Sequence, residues 1–149
     1  MANTFCVAGS INMDLVTRSP RFPVSGETIT GISFAFMPGG KGANQAVALA
    51  RLGARVEMIG AIGDDPLGDQ YGEILSGSGV SRNGISVMAG TTTGTASITV
   101  TDSGDNEIIV VSGANAFVSA DYIKKNRTLI EQSQVLMLQL EIPLESVLE

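Results

Sequence analysis

Runs of apolar residues, each about the length of a strand, recur along the chain between glycine-rich turns. Thr4–Gly9, Val56–Ile62 and Val135–Leu140 are such runs, and none alternates regularly between apolar and polar positions. Continuous apolar runs of this length are typical of strands that are buried on both faces. The pattern therefore predicts the buried strands of an α/β fold.

Helical patterns lie between and after these runs, over Ala43–Leu52, Pro66 to about Ser78, Ser119 to about Gln132, and a last segment that starts at Pro143. In the first, positions 43, 46, 47 and 50 are apolar with the spacing of one helix face, and Gly53 is the expected C-terminal stop. Pro66 suits the first position of a helix. We therefore expect Asp64 or Asp65 to cap that helix rather than to bind a metal.

Two further segments look extended but do not fit this βα pattern. Residues 10–42 separate the first strand from its helix, which is too long for an ordinary loop, and Leu15–Thr17 and Thr28–Met37 within them look like strands. Thr95–Thr101 and Glu107–Ser112 flank a loop rich in turn residues, which predicts a hairpin. We expect both segments to be strand excursions from the main sheet.

Polar side chains follow two of the predicted strands. Asn12 and Asp14 come after the first strand, and Glu141 follows the strand that ends near Leu140. Ligands of open α/β sheets bind outside the carboxyl ends of the strands. These residues are therefore candidates for ligand binding, although Asn12 and Asp14 are also common turn residues.

The segment from Gly39 to Asn44 combines glycines, a lysine and an asparagine immediately before and within the first turn of a helix. Glycine lets the backbone approach a ligand, and a helix start offers unpaired N–H groups with a positive dipole potential. The combination suits a hydroxyl-rich or anionic small molecule, and the alternative is a glycine turn that caps an ordinary helix. Lys41 is followed by Gly42 rather than Ser or Thr, which excludes a Walker loop, and Gln45 excludes the dinucleotide fingerprint.

Composition removes several classes of function. The chain has 149 residues with 44% hydrophobic and 16% charged, which fits a single domain with a substantial core. A net charge of -6 argues against a nucleic-acid binder, and no apolar run approaches the roughly 18 residues that span a bilayer. The absence of histidine excludes a Ser-His-Asp triad. The single cysteine, Cys6, is expected to be a buried hydrophobe, and together with the lack of a visible secretory signal it fits the cytoplasm.

Several motifs are similar to those of one enzyme family, in the same order along the chain: Gly9–Asp14, Pro23–Thr28, Gly39–Ala46, Gly63–Gly68, Gly113–Asn115 and Leu138–Glu145. The chain resembles the ribokinase-like sugar kinases, which are phosphofructokinase-B-type carbohydrate kinases. The resemblance implies a three-layer αβα fold with a small β-sheet lid, formed by segments near residues 12–38 and 94–112. In this family the lid closes over the sugar and often forms a dimer interface, so a homodimer through the lid is expected.

The resemblance also implies roles for individual residues and favours them over the turn and cap alternatives. The residues expected to hydrogen-bond sugar hydroxyls are Asn12, Asp14, Gly40, Lys41, Asn44 and Glu141. Ala96 and Ile98 stand two residues apart on one lid strand, so they share a face and are expected to contact the apolar side of the sugar.

The activity that the resemblance implies is ATP-dependent phosphorylation of the primary hydroxyl of a sugar, with ribose favoured and deoxyribose, fructose or a nucleoside as alternatives. A non-catalytic sugar-binding or dimerisation module is the alternative from another class. ATP, Mg²⁺ and a monovalent cation such as K⁺ are the implied cofactors.

One family feature is missing. The second signature, of the type Asp-Thr-x-Gly-Ala-Gly-Asp, is absent, and in this family it supplies the catalytic base and the anion hole. The helix that starts at Pro143 has only begun when the sequence reaches Glu149. We therefore expect an N-terminal, sugar-binding part, residues 1–149, truncated after the strand that ends near Glu141. Alone it would lack a catalytic residue, a nucleotide pocket and a metal site, and would be inactive.

Overall fold

Two four-stranded β-sheets organise residues 3–149, which are the part of the chain that the computed structural model describes. The strands are β1 (Thr4–Ala8), β2 (Asn12–Ser19), β3 (Ser33–Gly39), β4 (Arg55–Gly63), β5 (Val80–Met88), β6 (Gly94–Thr101), β7 (Asn106–Val111) and β8 (Val135–Leu138). The α-helices are α1 (Lys41–Arg51), α2 (Pro66–Gly77), α3 (Ala120–Lys125), α4 (Arg127–Glu131) and α5 (Leu144–Val147), and a 3₁₀ helix spans Gly113–Phe117.

The main sheet is parallel, with strand order β5-β4-β1-β8, and an apolar core packs on each of its faces. Successive side chains of a strand point to opposite faces, so β1 contributes to two apolar cores. Val7 packs with residues of α1 and α2, whereas Cys6 and Ala8 pack with the 3₁₀ helix and α3. The result is the predicted three-layer αβα arrangement.

The second sheet has strand order β3-β2-β6-β7 and is built from the two predicted excursions. β2 and β6 lie parallel at its centre, and Asn12 pairs with Gly94 at the end nearest the main sheet. The chain passes from β1 into β2 through residues 9–11 only. The carboxyl end of β1 is therefore the junction between the two sheets.

Three details of the sequence interpretation are corrected by the structure. Asn12 and Asp14 lie within β2, which starts three residues before the predicted extended segment Leu15–Thr17. The helix predicted over Ser119–Gln132 is two short helices, because Asn126 interrupts it and donates its side-chain N–H to the Tyr122 carbonyl. The last strand, β8, ends at Leu138, so Glu141 follows it after a short loop, and this edge strand is largely exposed rather than buried as predicted.

One strand was not predicted at all. β5 carries exposed polar residues, Arg82 and Asn83, in its middle and lies at an edge of the main sheet. These polar residues interrupt the continuous apolar run that marks β1 and β4, so the pattern of β5 did not indicate a strand. The 3₁₀ helix was not predicted either, and β3 starts at Ser33 rather than at Thr28. The bounds of α1 were predicted closely, with Gly53 after its end.

Asp65 caps α2, as one of the two aspartates was expected to do, and it also ties the main sheet to the second sheet. Its carboxylate accepts hydrogen bonds from the Gly68 N–H (2.8 Å), the Thr93 N–H (2.8 Å) and the Thr93 hydroxyl (2.7 Å). Thr93 is fully buried and immediately precedes β6. Burial alone would raise the pKa of Asp65, but the bonds from Thr93 and the α2 backbone outweigh it and hold the pKa below its usual value.

We expect Asp65→Ala to lower the free energy of unfolding by about 2–3 kcal/mol, because it removes a helix cap and leaves buried Thr93 without its partner. Urea denaturation measures this. Asp64→Ala is the matched control, since exposed Asp64 accepts only the Gly90 N–H, and it should cost less than about 1 kcal/mol. Equal losses in the two variants would contradict the assignment.

The same pair of variants gives a pH dependence. The folded-state pKa of Asp65 is depressed, so its contribution is complete above the unfolded pKa, near 3.8, and is lost as the pH falls through the folded value. The difference in unfolding free energy between the wild type and Asp65→Ala should therefore be constant near neutral pH and shrink in acid below about pH 4.

Candidate functional site

The start of α1 is held against the link between β1 and β2. The Ala43 N–H donates to the Ser10 carbonyl at 2.9 Å. A Cβ atom on Gly42 would lie 2.6 Å from the Gly9 carbonyl carbon, and one on Gly40 would lie 2.6 Å from the Asn12 nitrogen. Gly40 also has a φ of 85°, which favours glycine. The glycines thus let the amino end of α1 lie at the carboxyl end of β1.

Glu141 is held beside this helix start by two partners from distant parts of the sequence. Its carboxylate accepts a hydrogen bond from the Ser10 hydroxyl at 2.7 Å and forms an ion pair with Lys41 Nζ. Burial acts to raise the pKa of Glu141, but the hydrogen bonds from Lys41 and Ser10 outweigh it, so the pKa lies below its usual value. Glu141 is therefore an ionised acceptor at neutral pH.

Asp14 is the second carboxylate of the site, and its surroundings act in the opposite direction. Its side chain lies directly against Gly39, where a Cβ atom would collide with it. Burial and then the negative charge of Glu141 raise the pKa of Asp14, and Lys41 partly opposes them. Lys41 thus forms its ion pair with Glu141 and affects Asp14 through its charge, and the two environments push the pKa values of the carboxylates apart.

Tyr71 supports this arrangement from α2. It is 1% exposed, and its hydroxyl donates to the Gly39 carbonyl at 2.5 Å. Burial, followed by the charge of Asp14, raises the pKa of Tyr71, so the hydroxyl keeps its proton and remains a donor. The turn from β3 into α1 is therefore held in place by a hydrogen bond from α2.

The two asparagines occupy different environments. Asn12 is buried at the start of β2, and its Oδ1 accepts a hydrogen bond from Asn115. Asn44 is exposed in the first turn of α1, and its side chain makes no hydrogen bond to residues 3–149. Asn44 therefore offers both an amide donor and a carbonyl acceptor.

The two apolar candidates lie on β6 beside these polar groups. Ala96 pairs directly with Asp14, and Ile98 pairs with Val16 one step further along β2. Paired residues on adjacent strands share a face, so Ala96 and Ile98 are on the same face as Asp14. Ile98 is partly exposed on that face, whereas Ala96 is only 5% exposed.

The structure brings together Asp14, Gly40, Lys41 and Glu141, with Asn12 and Asn44 beside them. Four contributors were missed by the sequence interpretation of the site: Ser10, Tyr71, Asn115 and Gln139, whose Oε1 accepts the Ser10 N–H at 3.2 Å. Ser10, Asn115 and Gln139 lie inside motifs that were recognised, so those motifs could have indicated them. Tyr71 acts from α2, whose distance from the site cannot be inferred from spacing.

Two kinds of feature are absent from the described residues. Within residues 3–149, no group of three or more His, Cys, Asp or Glu side chains is arranged to hold a metal ion. No helix of that same region is long and apolar enough to cross a membrane.

Comparison with known proteins identifies close similarity over nearly the whole chain. The family model for pfkB family carbohydrate kinases matches residues 2–147. Ribokinase of Bacillus subtilis is 46% identical over 142 residues, which cover 95% of this chain and 48% of that protein. Deoxyribokinase of Salmonella typhi is 37% identical over 141 residues, which cover 95% of this chain and 46% of that protein.

Among solved structures, Arabidopsis thaliana ribokinase complexed with ribose and ATP matches with a TM-score of 0.83 and 32% identity, over 98% of this chain and 49% of that one. The chain thus spans about half the length of the relatives it matches. The similarity confirms the predicted family and fold.

Replacement of Lys41 by methionine should raise the pKa of both Glu141 and Asp14, since Lys41 lowers each of them. NMR titration of the carboxyl carbons measures both values. Lys125→Met, which removes an exposed lysine on α3, is the matched control and should leave both titrations unchanged. A Glu141 titration that does not move in Lys41→Met would show that the ion pair does not form in solution.

Proposed function

The chain belongs to the pfkB family of carbohydrate kinases, and on that basis we propose that it forms the sugar-binding part of an ATP-dependent kinase for ribose. The ribokinase-like α/β fold and the 46% identity to Bacillus subtilis ribokinase support this proposal. The observation that carries it is the meeting of Asp14, Lys41 and Glu141 at the glycine-rich start of α1. That set of groups suits a small molecule with many hydroxyls.

In this proposal the polar residues bind sugar hydroxyls by complementary hydrogen bonding. Ionised Glu141 accepts and keeps lone pairs beyond those used by Ser10 and Lys41, while Asn44 both donates and accepts. Asn12, Asp14 and the backbone around Gly40 and Lys41 supply the remaining contacts. A pentose has little apolar surface, so its recognition depends on paired hydroxyls, and a site of this type rejects analogues that lack them.

We propose that the second sheet acts as a lid over the bound sugar. Ala96 and Ile98 would cover the apolar side of the sugar ring from β6, next to Asp14. A closed apolar cover excludes water, which would otherwise compete as the phosphoryl acceptor. This part of the chain therefore binds, orients and shields the sugar.

The phosphoryl donor would be ATP, which with Mg²⁺ supplies the transferable group and neutralises its charge. A monovalent cation such as K⁺ belongs to the same proposal. We propose that these groups and the catalytic base lie outside the sugar-binding part, because the second family signature, which supplies the base, is absent from the sequence. Cys6, buried and reduced, together with the need for ATP, supports a cytoplasmic location.

Deoxyribose is the second candidate substrate, because the 37% identity to Salmonella typhi deoxyribokinase extends over 95% of the chain. Ribose is favoured by the higher identity to ribokinase and by the combination of Asn12, Asp14, Lys41 and Glu141. A non-catalytic sugar-binding module remains the alternative from another class, and turnover of ribose with ATP by the enzyme would exclude it.

We expect calorimetric titration to detect ribose binding that Asn44→Ala weakens by at least about tenfold, since the variant removes hydroxyl partners in a desolvated site. Asn83→Ala, at an exposed position of β5, is the matched control and should bind like the wild type. Deoxyribose, fructose and adenosine are titrated in parallel. Tighter binding of any of them than of ribose would change the substrate, and binding of none would contradict the proposal.

We also propose that the chain forms a homodimer through the second sheet. The face opposite Asp14 carries large apolar side chains that are half exposed or more, with Ile109 at 70%, Phe34 at 55% and Phe36 at 50%. Phe34 and Phe36 contact each other edge to face, with ring centroids 5.0 Å apart. An apolar sheet face of this kind is normally covered, and a second copy presents the same surface.

Sedimentation at micromolar concentration should therefore give a dimer, and Ile109→Lys should give a monomer because it places a charge within that apolar face. Val24→Lys is the matched control: Val24 is 68% exposed but lies in a turn outside the sheet, so this variant should stay dimeric. A monomeric wild type, or a dimeric Ile109→Lys, would argue against this interface.

A further inference from the structure

Asn115 is a buried side chain next to the candidate site, and its amide makes three hydrogen bonds. It lies in the 3₁₀ helix and is 1% exposed. Its Oδ1 accepts the Ile11 N–H at 2.9 Å, while its Nδ2 donates to the Ile11 carbonyl at 3.0 Å and to Asn12 Oδ1 at 2.8 Å. Both ends of the amide are therefore paired.

The orientation of Asn115 is dictated by the backbone of Ile11. If the amide were turned over, its N–H groups would face the Ile11 N–H and its oxygen would face the Ile11 carbonyl, so both bonds would be lost. Buried polar groups left without partners are costly, which keeps Asn115 in one orientation. The N–H group that faces Asn12 is thus fixed as a donor.

The backbone leaves no room for this contact to shift. Gly94 pairs with Asn12, and a Cβ atom at Gly94 would collide with both Asn115 Nδ2 and Asn12 Oδ1. The 3₁₀ helix is itself anchored, because the Ala114 N–H donates to the Thr92 carbonyl at 2.8 Å. Asn115 is therefore held from both sides.

The contact with Asn115 determines which atoms of Asn12 can bind a ligand. Its Oδ1 is occupied by Asn115, whereas its Nδ2 makes no hydrogen bond to residues 3–149 and is not enclosed by them. We propose that Asn115 is a positioning residue that sets the polarity of Asn12, so that Asn12 presents N–H donors, and not its oxygen, to a sugar hydroxyl. This inference rests on the proposed sugar-binding function for its ligand, but not for the orientation itself.

The arrangement assigns hydrogen-bond acceptor and donor roles to different side chains of the site. Asp14 and Glu141, when ionised, can only accept hydrogen bonds from a sugar. A hydroxyl next to Asn12 meets a donor instead, so it is bound through its lone pairs. Without Asn115 the amide of Asn12 would turn freely and would present either group, and the site would discriminate less between donor and acceptor patterns.

The orientation can be tested without any ligand, by NMR measurement of the exchange of side-chain amide protons with water. In the wild type the Asn115 NH₂ should exchange at least about tenfold more slowly than the Asn12 NH₂, because only the former is bonded on both protons. In Asn115→Asp, position 115 can only accept, so the Asn12 amide should turn and donate to it, and its exchange should slow. Slow Asn12 exchange in the wild type, or no change in the variant, would overturn the proposal.

Asn12→Asp tests the donor that faces the ligand and leaves the bonds between Asn115 and Ile11 in place. The carboxylate still accepts from Asn115, so the Asn115 NH₂ should stay slow and the thermal melt should be little changed. Ribose affinity should nevertheless fall at least about tenfold, because an acceptor replaces the donor. Asn83→Asp makes the same change at an exposed position and should bind ribose like the wild type.

The outcomes separate this inference from the function on which it rests. Unchanged ribose affinity in Asn12→Asp would overturn the assigned polarity while leaving sugar binding intact. Failure of the wild type to bind ribose would instead remove the proposed function, and the exchange rates would still decide the orientation of Asn12. If Asn115→Asp does not fold, the orientation of Asn12 can still be decided from the exchange rate of the Asn115 NH₂ protons in the wild type and in Asn12→Asp.

Discussion

The contact between the start of α1 and the link after β1 is the constraint on which the rest of the site depends. Gly42 lies against Gly9, and Gly40 lies against the first residue of β2, at distances that a Cβ atom would not permit. Any side chain at these positions would push α1 away from the sheet. Lys41 would then move away from Glu141, and the amino end of the helix would no longer face the carboxyl end of β1.

This contact also determines the electrostatics of the site. Because α1 lies so close, Lys41 pairs with Glu141, and its charge also acts on Asp14, from the opposite end of the chain. Glu141 has the ion pair and the Ser10 hydroxyl, so its pKa falls, whereas Asp14 has burial and the charge of Glu141, so its pKa rises. The close approach of α1 to β1 therefore places two carboxylates with different pKa values, Asp14 and Glu141, next to the exposed amide of Asn44.

Much of this could be predicted from the sequence, for identifiable reasons. Continuous apolar runs mark β1 and β4 because both faces of those strands are buried, and the glycine motif marks the start of α1 because close approach requires it. β5 was not predicted because Arg82 and Asn83 interrupt its apolar pattern. The hydrogen bonds of Tyr71, Gln139 and Asn115 were not predicted because they join residues far apart in the sequence. Periodicity indicates which face of an element is buried, but not which element packs against it.

The contacts between the two sheets explain why the polar and apolar candidates occupy different places. The hydrogen bonds of Asp65, Thr93, Asn115 and Tyr71 all reach the end of the second sheet nearest the main sheet. Asn12, at the first position of β2, lies at this anchored end, while Ile98 lies further out on β6. Hydrogen bonds require donors and acceptors held within narrow limits of distance and angle, whereas apolar contact is non-directional and tolerates displacement. The polar candidates therefore lie at the end of the second sheet that hydrogen bonds hold against the main sheet, and the apolar candidate Ile98 lies further along β6, where non-directional contact is sufficient.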